Sequence, residues 1–260
     1  NDICIFKMIS PDAHFIFPFD GLVWRLEIDP VTATIFAEVR NEQEKQVSFA
    51  SIDLVLGKLN FKDLATGERW LTGMERAHNG VLLLHHYESA NSPIHKGITA
   101  IDGRTGQSLW SDYSRGFDHR SINGPVMYDI RIQPKKLFVT DIKTGERRHT
   151  YNSAIDTEAE LSLSIPDVID GALLPAELSV GAPFGNVAHN LYLNQYRIVS
   201  LHALNNTRLT QTLYVFENNE PVFNDLLNDG IQKLQPEAFI VHNNHLIYLK
   251  NKTELNVINL

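Results

Sequence analysis

Cysteine is nearly missing from this chain: Cys4 is the only one among 260 residues. No internal disulfide can form, and a structural zinc site built from several thiolates is excluded. Long hydrophobic runs are missing too, since none approaches the roughly 18 residues that cross a bilayer. The apolar stretch at residues 3–6 is too short for the core of a signal peptide. The compartment is open, with cytoplasmic favoured; because the chain starts at Asn1 rather than Met, periplasmic is the alternative if a signal peptide has been removed before that residue. Basic charge is scarce. With 23 Lys and Arg against 31 Asp and Glu, the formal charge is −8. That argues against nucleic acid as a partner, because phosphate binding depends on clustered cations. The nearest thing to a basic cluster, Arg147-Arg148-His149, reads as an exposed strand end. There is no Gly-rich phosphate loop, no Gly-x-Ser-x-Gly elbow and no His-Glu-x-x-His pair.

What the chain does have is a recurring turn. Asp63-Leu64-Ala65-Thr66-Gly67, Asp102-Gly103-Arg104-Thr105-Gly106 and Asp141-Ile142-Lys143-Thr144-Gly145 share one pattern, each Asp 39 residues after the last. Before each Asp, apolar residues stand at four and two positions back: Leu59 and Phe61, Ile98 and Ala100, Leu137 and Val139. That alternation is one face of a strand. Gly then allows the positive φ of a tight turn, and the Asp carboxylate can cap the turn's backbone N–H groups. The repeated unit therefore reads as a hairpin. Trp70 and Trp110 follow the first two turns and His149 the third, in the position of packing anchors between neighbouring sheets.

Composition is that of a globular chain, 43% hydrophobic and 21% charged. The final residues, Thr253 to Leu260, alternate like a strand, while Trp24 stands three residues past Gly21 near the start. A closed ring of small sheets accounts for both, with the N-terminal strand around Trp24 completing the sheet that contains the C-terminal strand. The spacing favours six blades over residues 1–260 as one domain. Five blades with an insertion or degenerate blade at 152–190 is the alternative, that stretch being rich in Pro and Gly. Beyond it, strands are expected around 197–203, 210–216, 237–241 and 246–250, with one helical turn near 224–227.

The pattern of apolar strand, Asp-x-x-Thr-Gly, polar pair and Trp across residues 59–149 resembles the repeat of quinoprotein-type (PQQ-like) β-propellers. As a whole the chain is similar to an uncharacterised bacterial propeller family. The resemblance implies an all-β single β-propeller and no known activity. Quinone-cofactor dehydrogenases with this repeat are longer and carry vicinal cysteines, which this chain lacks, so no cofactor is expected.

Candidate site residues are polar side chains inside otherwise apolar strands: Glu38, His86, Asp129, His202 and His242. On innermost strands they would line a central channel, where imidazoles and carboxylates could hold a divalent ion or polarise a substrate. His85 and His86 with His95 look like a metal tract, yet neighbouring residues on a strand face opposite ways, so at most one of the pair can join His95. The first functional expectation is a non-catalytic binding or scaffold module, monomeric, for a protein or small-molecule partner. It uses an exposed apolar patch, with the 152–190 stretch as its candidate. The alternative is a hydrolase or lyase on a glycan-type substrate, working through a His/carboxylate site at the channel.

Overall fold

The computed structural model describes residues 14–159, 163–175, 178, 180–205 and 207–260. Cys4 and residues 3–6 lie outside that set. The chain forms two compact units, one of Phe19–Leu161 and one of Ser162–Leu260 with Asn1–Pro18. Among the described residues, regular structure is β-strand apart from short 3-10 turns at Gly171–Leu173 and Phe184–Asn186.

The Phe19–Leu161 unit consists of three four-stranded antiparallel meanders. The first is β2 (Leu22–Asp29), β3 (Thr34–Asn41), β4 (Gln46–Asp53) and β5 (Lys58–Leu64); the second is β6 (Thr72–His78), β7 (Val81–Tyr87), β8 (His95–Asp102) and β9 (Ser108–Asp112). The third is β10 (Arg115–Ser121), β11 (Gly124–Asp129), β12 (Phe138–Thr140) and β13 (Arg147–Thr150). Strand β7 shows why they stack. Its run Val81-Leu82-Leu83-Leu84 is buried throughout, as a strand covered on both faces must be. Leu82 and Leu84 enter a core with Phe36, Phe49 and Met74, while Val81 and Leu83 enter a second core with Ile98, Met127 and Phe138. Period-2 alternation thus feeds two interfaces from one strand, each buried Leu contributing about 1.5–3 kcal/mol.

The other unit holds a five-stranded sheet and a four-stranded one. The five are β14 (Asp167–Asp170), β15 (Val187–Leu193), β16 (Tyr196–Asn205), β17 (Arg208–Glu217) and β18 (Glu220–Ile231), in that order. The four are β19 (Phe239–His242), β20 (His245–Lys250), β21 (Glu254–Asn259) and, beyond β21, β1 (His14–Pro18). Strand β1 runs antiparallel to β21 from His14 opposite Ile258 to Pro18 opposite Glu254. The N-terminal strand does complete the sheet of the C-terminal one, but it is not the strand of Trp24. Trp24 lies on β2 in the first meander, two-thirds exposed. Strand β1 ends at Pro18, and at Gly21 the chain passes so close to Arg40 that a Cβ there would lie 2.8 Å from the Arg40 carbonyl oxygen.

The described residues form five sheets rather than six. The 152–190 stretch supplies β14 and a cover: Leu174, Leu178 and Val180 pack with Ala188, Val199, Leu201 and Phe216 on the five-stranded sheet. The stretches read as strands at 197–203, 210–216, 237–241 and 246–250 correspond to β16, β17, β19 and β20. The helical turn expected near 224–227 is instead part of β18. Asn218 and Asn219, both at positive φ, turn the chain directly into a strand whose Val222 and Leu227 reach the core.

The Asp-x-x-Thr-Gly turns divide. Asp102 accepts from the N–H groups of Arg104 and Thr105, and Asp141 from those of Lys143 and Thr144; Gly106 and Gly145 take positive φ and close the β8–β9 and β12–β13 hairpins. At Asp63 no hairpin forms. That residue is exposed near the end of β5, an edge strand, and residues 65–71 lead on to the next sheet. The hairpin of the first meander sits earlier, at Asp53-Leu54-Val55-Leu56-Gly57, where Asp53 caps Val55 and Leu56 and Gly57 has positive φ. Register confirms the substitution: Ser51 faces Phe61, Ala100 faces Trp110 and Val139 faces His149. Phe61, not Trp70, occupies the anchor position of the first sheet. Trp70 packs on the edge of the core between the first two sheets, under Arg40 and Lys45.

Candidate functional site

Three strands of the second meander bring Glu75, His85 and His95 together. Two register shifts make this possible. In the β6–β7 pairing Met74 faces Leu84 and Arg76 faces Leu83, so Glu75 is the extra residue of a β-bulge. The guanidinium of Arg25 on β2 clamps that bulge, donating to the carbonyls of Met74 and Glu75 at 2.7 and 2.9 Å. In the β7–β8 pairing His85 faces Ile98 but His86 faces Lys96, which leaves Gly97 as the extra residue, at φ 76°. Without that bulge His95 would fall on the opposite face from His85. With it, His95 stands opposite Tyr87 and shares the face of His85.

The geometry is tight. His95 Nδ1 lies 2.9 Å from Glu75 Oε2 and His85 Nδ1 lies 3.0 Å from the same oxygen. The two imidazoles are stacked, centroids 3.5 Å apart and planes within 6°, and the Tyr87 ring stands nearly perpendicular to both. His85 is fully buried, and neither of its ring nitrogens makes an aligned hydrogen bond. His95 is more than a third exposed, which opens the cluster to solvent on one side. Burial pushes the Glu75 carboxyl up, but the donors and charge of His85 and His95 outweigh it and hold the carboxyl below its ordinary value. Gly73 leaves space beside this cluster, since a Cβ there would meet His85 Nε2 at 3.0 Å and Glu38 Oε2 at 3.2 Å.

The five candidate residues read from sequence have different partners. Glu38 is buried; its Oε1 accepts from Arg40 at 2.7 Å and its Oε2 from the Met74 N–H at 2.8 Å. His86 faces away from His85, stacks on Tyr113 and lies 3.5 Å from Thr99 Oγ1; burial lowers its pKa, partly offset by Glu68. Asp129 ends β11 in a two-point ion pair with Arg131, whose hydrogen bonds hold its carboxyl down at about 2. His202, on β16, accepts from the Gln235 backbone N–H at 3.0 Å. His242, at the end of β19, has the Asn243 side chain 3.3 Å from its Nε2. Of the five, Glu38 comes beside the cluster across the gap at Gly73, while His86, next to His85 on β7, points to the opposite face. Of the His85-His86 pair, His85 is the one that joins His95. Glu75 was not legible, because nothing in Met74-Glu75-Arg76 marks a bulge.

A family model described as a domain of unknown function (DUF4905) matches residues 28–110, which contain this whole cluster. No curated protein matches the chain. Among solved structures it is similar to BamB from Moraxella catarrhalis, at 9% identity, 91% coverage of this chain and 84% of that one, with a TM-score of 0.33. It is also similar to the Dos1 propeller, at 8% identity, 98% and 95% coverage and a TM-score of 0.22. Likenesses this weak decide nothing about this chain. No helix among the described residues is long and apolar enough to cross a membrane.

Proposed function

We propose that the five sheets are the blades of a single β-propeller with PQQ-like repeat turns, and that it serves as a non-catalytic module binding a protein partner. Successive four-stranded meanders, one of them completed by the N-terminal strand, support the architecture. The observation that carries the function is the exposed apolar stretch around β14. Ile165, Val168, Leu173 and Phe184 are 68%, 66%, 69% and 43% exposed, and β14 pairs on one side only, with β15, among the described residues. An edge strand of this kind takes an extended partner segment by strand addition, its apolar side chains supplying specificity. The exposed Asp167 and Asp170 beside Val168 favour a partner segment with basic residues. Small-molecule binding has less support. The surface concavity lined by Asp20, Asn41, Glu44 and Asp63 holds about 170 Å³, short of the ~300–1,000 Å³ of ordinary ligand sites.

The test compares the full chain with an Ile165→Lys/Val168→Lys variant in affinity capture from the source cells, followed by titration of the captured protein. A protein held by the wild type and lost from the equally stable variant supports the reading. Equal retention by both removes it. A second reading, a hydrolase or lyase on a glycan-type substrate, draws on the Glu75–His85–His95 cluster.

A further inference from the structure

We propose that Glu75 Oε2, His85 Nδ1 and His95 Nδ1 form a binding site for one divalent transition-metal ion of the zinc class, with the remaining coordination positions open to water. Two imidazole nitrogens and one carboxylate oxygen are a donor set suited to zinc and its neighbours and ill-suited to magnesium or calcium, which prefer oxygen throughout. Each of the three residues offers one ligand atom, and these lie within 4.8 Å of one another. Two of the three separations, 2.9 and 3.0 Å, fit ligands roughly 90° apart on an ion with bonds about 2.0–2.2 Å long.

Hydrogen bonding alone accounts for the cluster poorly. Both imidazoles present Nδ1 to a single carboxylate oxygen, and only that of His95 is aligned to donate. His85, buried to 1% exposure, has only a misaligned 3.0 Å contact from Nδ1 to Glu75 Oε2 and no hydrogen-bond partner at Nε2, an arrangement that folded proteins rarely leave uncompensated. An ion bound by the three atoms resolves both difficulties once one imidazole tilts out of the stack, because the lone pairs of parallel rings lie in their own planes and do not converge as the rings stand. It then takes the lone pairs of both rings and one carboxylate oxygen together.

The surroundings suit that role. Two bulges aim the ligands, Arg25 fixes the bulge that carries Glu75, the Tyr87 ring walls the stacked pair, and the exposed edge of His95 is the entry path. Three protein ligands leave an open position, as in sites where a bound water is activated. The proposal does not depend on the partner surface around β14.

The experiment is calorimetric titration of the untagged, chelator-treated full chain with zinc chloride, repeated with His95→Ala, Glu75→Gln and the control His149→Ala. The control removes another His–carboxylate pair, His149 with Asp156 at 2.9 Å. Because His95 is partly exposed, its variant is the one that keeps the fold, checked by circular dichroism. We expect about one ion per chain for the wild type and control. For His95→Ala and Glu75→Gln we expect at least a ~100-fold loss of affinity, beyond the 10–100-fold that a merely supporting residue costs. Cobalt in place of zinc should give visible absorption bands that the His95→Ala chain loses. Absence of micromolar binding by the wild type, or equal binding by His95→Ala and the wild type, overturns the site.

Discussion

Three glycines that share the Asp-x-x-Thr-Gly pattern should respond differently to the same substitution. Gly145 takes φ 75°, and a Cβ there would lie 2.7 Å from Trp110 Cδ2, flat against the indole. Left-handed backbone costs Ala about 1–2 kcal/mol, and pushing the ring aside adds about 1–3 kcal/mol, as overpacking does. The ring cannot retreat freely, since its Nε1–H donates to Ile142 O at 2.8 Å, and Arg115 donates to the Gly145 carbonyl. Gly145→Ala should therefore destabilise by about 2–5 kcal/mol. Gly106 takes φ 73°, but its nearest neighbour, Phe61 Cδ1, would be 3.4 Å away, so Gly106→Ala should cost only the backbone share, ~1–2 kcal/mol. Gly67 is exposed, lies outside the left-handed region and has nothing within 4 Å of the added atom; Gly67→Ala should fall within about 0.5 kcal/mol of wild type. Equilibrium unfolding in urea reads all three. A cycle adds the cause: in a Trp110→Ala background the cost of Gly145→Ala should drop by about 1–3 kcal/mol, because the ring it collides with is gone. Three equal costs, or an unchanged cost without the indole, would refute the assignment of Gly145 and Trp110 as partners across sheets.

Arg40 neutralises the buried Glu38 and also donates to Thr72 O at 3.1 Å. Arg40→Met alone should cost about 3–5 kcal/mol by leaving that carboxylate unpaired, while the Glu38→Gln/Arg40→Met double variant should recover most of it, both read by urea unfolding. Equal stability of the single and double variants would show the pair to be uncoupled. Burial, with His189 nearby, holds the His202 pKa below the usual 6.5, and its Nε2 must stay unprotonated to accept from Gln235. As pH falls below 6.5 the unfolded chain takes up this proton before the folded one. The contribution is therefore complete above 6.5 and declines beneath it, levelling off below the folded pKa. Imidazole NMR should place the His202 midpoint below 6.5 in the native chain, and a midpoint at or above that value would contradict the burial argument.

What the sequence showed depended on whether a feature was carried by residue type or by register. The alternation before Asp102 and Asp141 and the caps that follow are local, so hairpins were legible there without coordinates. The same letters at Asp63 misled, because the true equivalent, Asp53 to Gly57, keeps the Asp cap and the positive-φ Gly but replaces Thr with Leu56. The cap needs a carboxylate and a glycine four residues on; the Thr is dispensable, and a search anchored on Thr-Gly finds the wrong strand end. At the cluster, strand parity correctly limits His95 to one of His85 and His86 but cannot choose between them. The choice belongs to Gly97, which inserts one residue and moves His95 to the face of His85. A single-residue bulge leaves no periodic trace, so Glu75 at the other bulge stayed hidden although its chemistry was the missing third ligand. Bulges are where sheets re-aim side chains, so the residues hardest to place from pattern alone are here the ones with the most chemistry.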